Sequence, residues 1–141
     1  MVVDKSLIKY KKIAREYALQ ALYNYLFTDY EDKKGFVEKF YKYLAPNLKE
    51  KSKIYFEKIF YGTVDNKEKI DSYISKYYKG DFDNLNVIEK AIIYFSIYQM
   101  VFMGEDKKLV ISESLRISDK FIGKLFSKKL NAFLDKVETE Q

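Results

Sequence analysis

Lys5, Lys9, Lys12, Glu16, Gln20 and Tyr23 recur at steps of three and four residues. On a helix turning about 100° per residue they share a sector of roughly 80°. Lys11 and Arg15 flank that sector where it meets the apolar side, and the segment through Arg15 carries five positive charges against Asp4 alone. The chemistry open to such a strip is recognition. Lysines contact phosphates, Gln20 hydrogen-bonds a base edge, and Tyr23 stacks an unpaired base. Arg15 stands apart, because only it and Arg116 among 26 basic residues are arginine. A partly exposed guanidinium at this position is expected to make bidentate contacts that a lysine cannot. The plain alternative is a solvated outer helix face.

Bond-breaking chemistry has little to work with. Histidine and cysteine are both absent. That removes disulfides, thiolate or imidazole metal sites, and serine-histidine or cysteine-histidine nucleophiles. A carboxylate pair stays formally open, but the 21 acidic residues are outnumbered and no pocket is announced around them. Asp65, Glu68, Asp71, Asp81 and Asp83 read as helix caps and first-turn dipole partners, not as a calcium loop. The glycines at 35, 62, 80, 104 and 123 are too dispersed to cradle a phosphate. A non-enzyme without metal or cofactor is expected. The net charge of +5 favours an anionic partner, most commonly nucleic acid. Lys124, Lys128 and Lys129 form a second basic cluster at the start of a helix, where the dipole disfavours them, which hints at phosphate.

These residues need positioning elements. One proline and five glycines in 141 residues, with apolar spacings of three and four, predict an all-helical single domain with a substantial core. Helix one is expected from a cap at Asp4 or Ser6 to about Phe27, burying Ala14, Ala18, Ala21, Leu22 and Tyr25. A stripe from Phe36 to Leu44 stops before Pro46. Phe56, Ile59, Phe60 and Val64 mark a third helix, with Gly62 admitting a close neighbouring backbone. Asp65-Asn66 is expected to cap a fourth helix carrying Ile70, Tyr73, Ile74 and Tyr77, with Gly80 at its end. Asn86-Val87-Ile88-Glu89 reads as a capping box opening the central helix, whose stripe through Phe95 and Phe102 ends at Gly104. Helices from about Leu109 to Phe121 and Lys124 to Val137 complete seven. About nine in ten of the 25 Tyr and Phe residues are expected in the core. Met1 to Lys12 lacks an apolar signal core, and no apolar run approaches the ~20 residues that span a bilayer. A cytoplasmic protein with no membrane partner is expected.

Several segments together resemble the NusB family of bacterial transcription antitermination factors. The run Lys11-Lys12-Ile13-Ala14-Arg15-Glu16-Tyr17-Ala18-Leu19-Gln20-Ala21-Leu22-Tyr23 is similar to that family's opening motif. Tyr55-Phe56 through Gly62, Ile70-Asp71, Ile88-Glu89-Lys90-Ala91-Ile92-Ile93 with Tyr98, Val110-Ile111-Ser112-Glu113, and Asn131-Ala132-Phe133-Leu134-Asp135-Lys136 follow its order and spacing. The resemblance implies an all-α compact bundle of two small helical subdomains, about 1–65 and 66–141. It also implies a non-catalytic adapter that pairs with the ribosomal protein NusE, binds boxA-type RNA, and joins RNA polymerase with other Nus factors to resist termination in ribosomal RNA synthesis. By motif position Lys11, Lys12, Arg15 and Gln20 fall on its RNA-binding signature, and Tyr23 and Glu89 at the partner surface. Lys9 joins the RNA set from helical geometry alone.

The chain departs from the family pattern in places. The basic pair is lysine, Tyr94 replaces an arginine, Gln99 a glutamate, Ser112 an asparagine and Lys129 a phenylalanine, and a proline before the sixth helix is missing. Similar domains occur fused to RNA cytosine methyltransferases, whose catalytic cysteine this chain lacks. The competing expectation is an interaction module of the same fold without sequence-specific RNA binding.

Overall fold

The computed structural model describes residues 5–139, with side chains described from Ile8 onward. Seven α-helices run in order: α1 (Lys5–Tyr25), α2 (Lys33–Leu44), α3 (Glu50–Asp65), α4 (Lys67–Tyr77), α5 (Val87–Ile97), α6 (Lys107–Phe121) and α7 (Lys124–Lys136). A 3-10 turn at Phe82–Asn84 precedes α5, and a π-helical turn at Tyr98–Phe102 continues it. No strand occurs among the described residues.

Small residues let α1 pack closely. Ala14, Ala18 and Ala21 are fully buried, and α1 packs chiefly against α3 and α5. The α5 run Ala91 to Ile97 is buried on every side, as expected of a helix at the centre of a bundle. Its start is fixed by both arms of the capping box: Asn86 Oδ1 accepts from Glu89 N at 3.0 Å, and Glu89 Oε1 accepts from Asn86 N at 2.9 Å. Buried hydroxyl pairs join the later helices, Ser96 to Ser114 at 2.7 Å and Ser127 to Ser118 at 2.8 Å. Such small polar contacts allow close approach while satisfying each group.

The aromatic residues assemble a layered core. Phe36 and Phe60 stack at 5.6 Å, Phe40 and Phe56 at 5.3 Å, and Phe56 and Phe60 at 5.9 Å. Tyr25 meets Phe60 edge-on at 5.4 Å, a geometry the ring quadrupole favours. Buried side chains from all seven helices merge into one cluster.

Four local expectations need correction. Ser6 lies inside α1 and so is not its cap, and Asp4 falls outside the described residues. Asn66 does not cap α4 through its side chain; its amide donates back to the Gly62 carbonyl at 2.7 Å, serving the end of α3. Gly62 admits a side chain, not a backbone, because a Cβ there would overlap the Tyr98 ring. The central helix widens at Tyr98, so Gln99 and Met100 are buried in succession, a pattern that a uniform 3.6-residue period does not produce.

Candidate nucleic-acid and partner interface

α1 carries the candidate strip on the side away from its alanines. Lys9 is exposed. The Lys12 side chain is 45% exposed, with its ammonium 3.9 Å from Glu113 Oε2. Lys11 is half-buried, its ammonium 5.3 Å from the centre of the Tyr55 ring. Gln20 donates to the carbonyl of Glu16 at 3.3 Å and is half-buried. Tyr23 is 44% exposed at the carboxyl end of the helix.

Arg15 does not sit where the expectation of partial exposure put it. It is 3% exposed, and its guanidinium is divided among three inward partners. Nε donates to Gln99 Oε1 at 3.2 Å, Nη1 to Glu113 Oε1 at 3.2 Å, and Nη2 to the Tyr55 hydroxyl at 3.1 Å. The Tyr55 hydroxyl donates onward to Glu105 Oε1 at 2.7 Å, while Gln99 anchors its own amide on the Phe95 carbonyl. A buried charge needs this degree of pairing. In this conformation Arg15 is therefore a tie between α1, α3, α5's π turn and α6, with no fork turned to solvent. Arg15 lies at the edge of the apolar sector, and acceptors from distant segments close over it.

The same cluster reaches the surface through α6. Arg116 donates to Glu113 at 3.0 Å and lies 3.7 Å from Glu16 Oε2. Lys120 Nζ lies 2.5 Å from Glu16 Oε1. Burial would push the Glu113 carboxyl up, but Arg116, with Arg15 and Lys12, outweighs that and holds it below the usual range. Burial, joined by the hydrogen bond to Glu105, pushes the Tyr55 hydroxyl up against the opposing Arg15 charge. Both groups thus keep the protonation states their hydrogen bonds require at neutral pH. Across this surface the cations Lys9, Lys12, Arg116 and Lys120 outnumber the carboxylates of Glu16 and Glu113 with which three of them pair.

Just beyond the carboxyl end of α1 the chain meets α4 and α5. Phe27, one turn after Tyr23, is 38% exposed, and the ammonium groups of Lys67 and Lys90 lie 5.9 Å and 5.8 Å from its ring centre. Lys90 follows Glu89 on α5, so Tyr23 and Glu89 belong to elements that join here. One Glu89 carboxylate oxygen is engaged in the capping box. Tyr94 is buried behind this corner, touching Phe27 edge-on at 5.9 Å and donating its hydroxyl to Asp71. On α7, Lys124 pairs with Asp119 at 2.8 Å, and Lys128 and Lys129 are exposed. No set of three or more acidic ligands able to hold a metal occurs among the described residues.

Sequence periodicity missed Lys120, Arg116, Lys67 and Lys90 as members of these surfaces. Lys120 and Glu16 are 104 residues apart, so no helical spacing relates them. Phe27 carried a readable signal, because it follows Tyr23 by one turn.

The model of the NusB family matches residues 12–139, and the chain therefore belongs to that family. No curated protein sequence matches it significantly. Its fold is similar to that of a NusB structure from T. maritima, with 22% identity over 90% of this chain and 89% of that one and a TM-score of 0.78. It is equally similar to a crystal structure of the antitermination factors NusB and NusE in complex with dsRNA, at 22% identity, 92% and 96% coverage, and a TM-score of 0.79.

Proposed function

We propose that this member of the NusB family is a non-catalytic RNA-binding adapter in transcription antitermination. Lys9, Lys11 and Lys12 meet the phosphates of a boxA-type RNA, Gln20 hydrogen-bonds within the same face, and Tyr23 with Glu89 seats a NusE-type ribosomal protein. The assembly then joins RNA polymerase and other Nus factors in the cytoplasm during ribosomal RNA synthesis. Arg15 acts here by holding the lysine strip in register, since its own fork is occupied. One observation carries the reading: one face of α1 presents Lys9 and Lys12 toward its amino end and the exposed Tyr23 at its carboxyl end, with Phe27 exposed just beyond. Phosphate contacts supply affinity, and contacts to unpaired bases supply preference.

The test is a titration of labelled boxA-type RNA and a scrambled RNA of equal length at fixed salt, with and without the NusE-type protein. The adapter reading expects the boxA-type RNA to bind more tightly than the scrambled one, and Lys9→Ala/Lys12→Ala to weaken both. Equal binding of the two RNAs that fades together as salt rises marks a nonspecific basic surface and defeats the reading.

A further inference from the structure

A groove of about 700 Å³ lies beside α1, between its first half and the turn that leads from α2 into α3. Its walls are apolar and aromatic: Tyr10, Ile13 and Tyr17 from α1 face Pro46 and Leu48 from the turn. Both tyrosine rings are braced from behind, Tyr10 edge-on to Tyr55 at 6.3 Å and Tyr17 edge-on to Phe40 at 6.1 Å. The groove's volume falls within the ~300–1,000 Å³ of small-molecule sites.

Its rim is positively charged. Lys9, Lys49 and Lys51 line it against Glu50 alone, and all four are exposed. None of the three lysines takes part in the ion pairs found among the described residues. Asn47, exposed at the mouth, offers both a donor and an acceptor to a flat heteroaromatic edge. Ser52 is turned away from that task, since its hydroxyl donates to the Tyr10 carbonyl at 3.1 Å.

An anionic rim partner with a flat apolar body fits this combination. Lys9 belongs both to the groove and to the α1 strip, so the two surfaces are continuous. We propose that the groove receives an unpaired nucleotide of the same RNA strand, its base lodged between Tyr10, Tyr17 and Leu48, and its flanking phosphates held by Lys9, Lys49 and Lys51. The inference rests on the RNA-binding reading above and adds α3's amino end to the footprint. A purely apolar peptide would leave the three lysines without partners. Backbone charge and base stacking together account for both rim and walls.

The experiment measures binding of a short single-stranded boxA-type RNA over a series of salt concentrations, using the full chain, Lys49→Ala/Lys51→Ala, and Lys12→Ala, which lies outside the groove, as the strip control. Each lost phosphate contact lowers the slope of log affinity against log salt by about 0.7 for single strands. The groove variant is therefore expected to be shallower by about 1.4, which amounts to roughly 25-fold weaker binding at 0.1 M salt if the loss vanishes at 1 M. Circular dichroism and the thermal midpoint should stay at their wild-type values, because both lysines are exposed. Irradiation of the same RNA carrying 5-bromouridine should cross-link Tyr10 or Tyr17, located by mass spectrometry.

Wild-type slope and affinity in the groove variant, with cross-links confined outside the groove while the strip control is impaired, would overturn this inference and leave the adapter reading standing. A groove variant that binds RNA normally but loses the NusE-type protein would assign the groove to a protein and also overturn it. Failure of the unaltered chain to bind the RNA at any salt would remove the RNA-binding reading itself and this inference with it.

Discussion

Arg15 has three hydrogen-bonded partners and almost no exposure, so truncating it strands polar groups in the interior. Arg15→Ala is expected to destabilise the fold by about 3 kcal/mol, the lower end for breaking a buried pair, because Glu113 keeps Arg116 and Lys12. Urea unfolding checks this, and a loss under 1 kcal/mol would mean that solvent replaces the partners without penalty. Any fall in RNA affinity should then track the disordering of α1. Glu113 adds a pH signature. Its carboxyl is held below the ordinary value of 4.5 by Arg116, Arg15 and Lys12 against the cost of burial. A depressed acid stabilises the fold while it is ionised in both states. The contribution is complete above the unfolded-state pKa and is lost as pH falls through the lower folded-state value. The stability gap between the unaltered chain and Glu113→Gln should therefore begin to narrow as pH falls toward the ordinary value of 4.5 and go on narrowing through the lower folded-state value. A gap that widens toward acid would show Glu113 to be protonated when folded. Neither property was legible from residue type. The helix wheel put Arg15 at the sector border, and its acceptors Gln99 and Glu113 lie 84 and 98 residues away. Borders are where a 3.6-residue period has least to say.

At the scale of elements, the junction of α3 with the end of α5 depends on a missing side chain. A Cβ on Gly62 would overlap the Tyr98 ring, and Tyr98 opens the π turn that buries Gln99 beneath Arg15. Gly62→Ala is expected to cost about 1–3 kcal/mol as overpacking. Combining it with Tyr98→Leu should cost less than the two changes summed, because the smaller side chain vacates the notch. Thermal unfolding of the two single variants and the double variant checks this, and strict additivity would mean that the ring escapes without help. The elements themselves were largely readable. The alanine face of α1, the stop at Pro46 and the capping box at Asn86 are local signals, and each is present in the structure at the expected place. The π turn was not readable, because the apolar residues Tyr98, Met100, Val101 and Phe102 satisfy a helical stripe at either pitch. Asn66 misled for a related reason: its side chain serves either the end of one helix or the start of the next, and the choice depends on the Gly62 carbonyl within reach.

On the scale of the whole molecule, α1 joins the two surfaces proposed for RNA and for a protein partner. Lys9 and Lys12 lie toward one end of the helix, and Tyr23 with Phe27 lies at the other, beside Lys67 and Lys90. Between them Glu16 pairs with Lys120 and Arg116 of α6, and Arg15 ties the same stretch of α1 to Glu113. A protein seated at Tyr23 and Glu89 can therefore extend the basic face offered to RNA without displacing it. Any contact made only when both ligands are present must strengthen each binding by the same factor, because the coupling is one free energy. The expected coupling is about 1–3 kcal/mol, or roughly 5- to 150-fold. Tyr23→Asp places a charge on the partner surface about three turns from Lys12. It should weaken the NusE-type protein and abolish its enhancement of RNA binding, while the affinity of the chain alone changes little. Titrating labelled RNA against this protein, the partner, and their mixture measures both directions of the linkage. Equal RNA affinity with and without the partner would make the two surfaces independent, and α1 would then be a shared scaffold instead of the coupling element of an adapter.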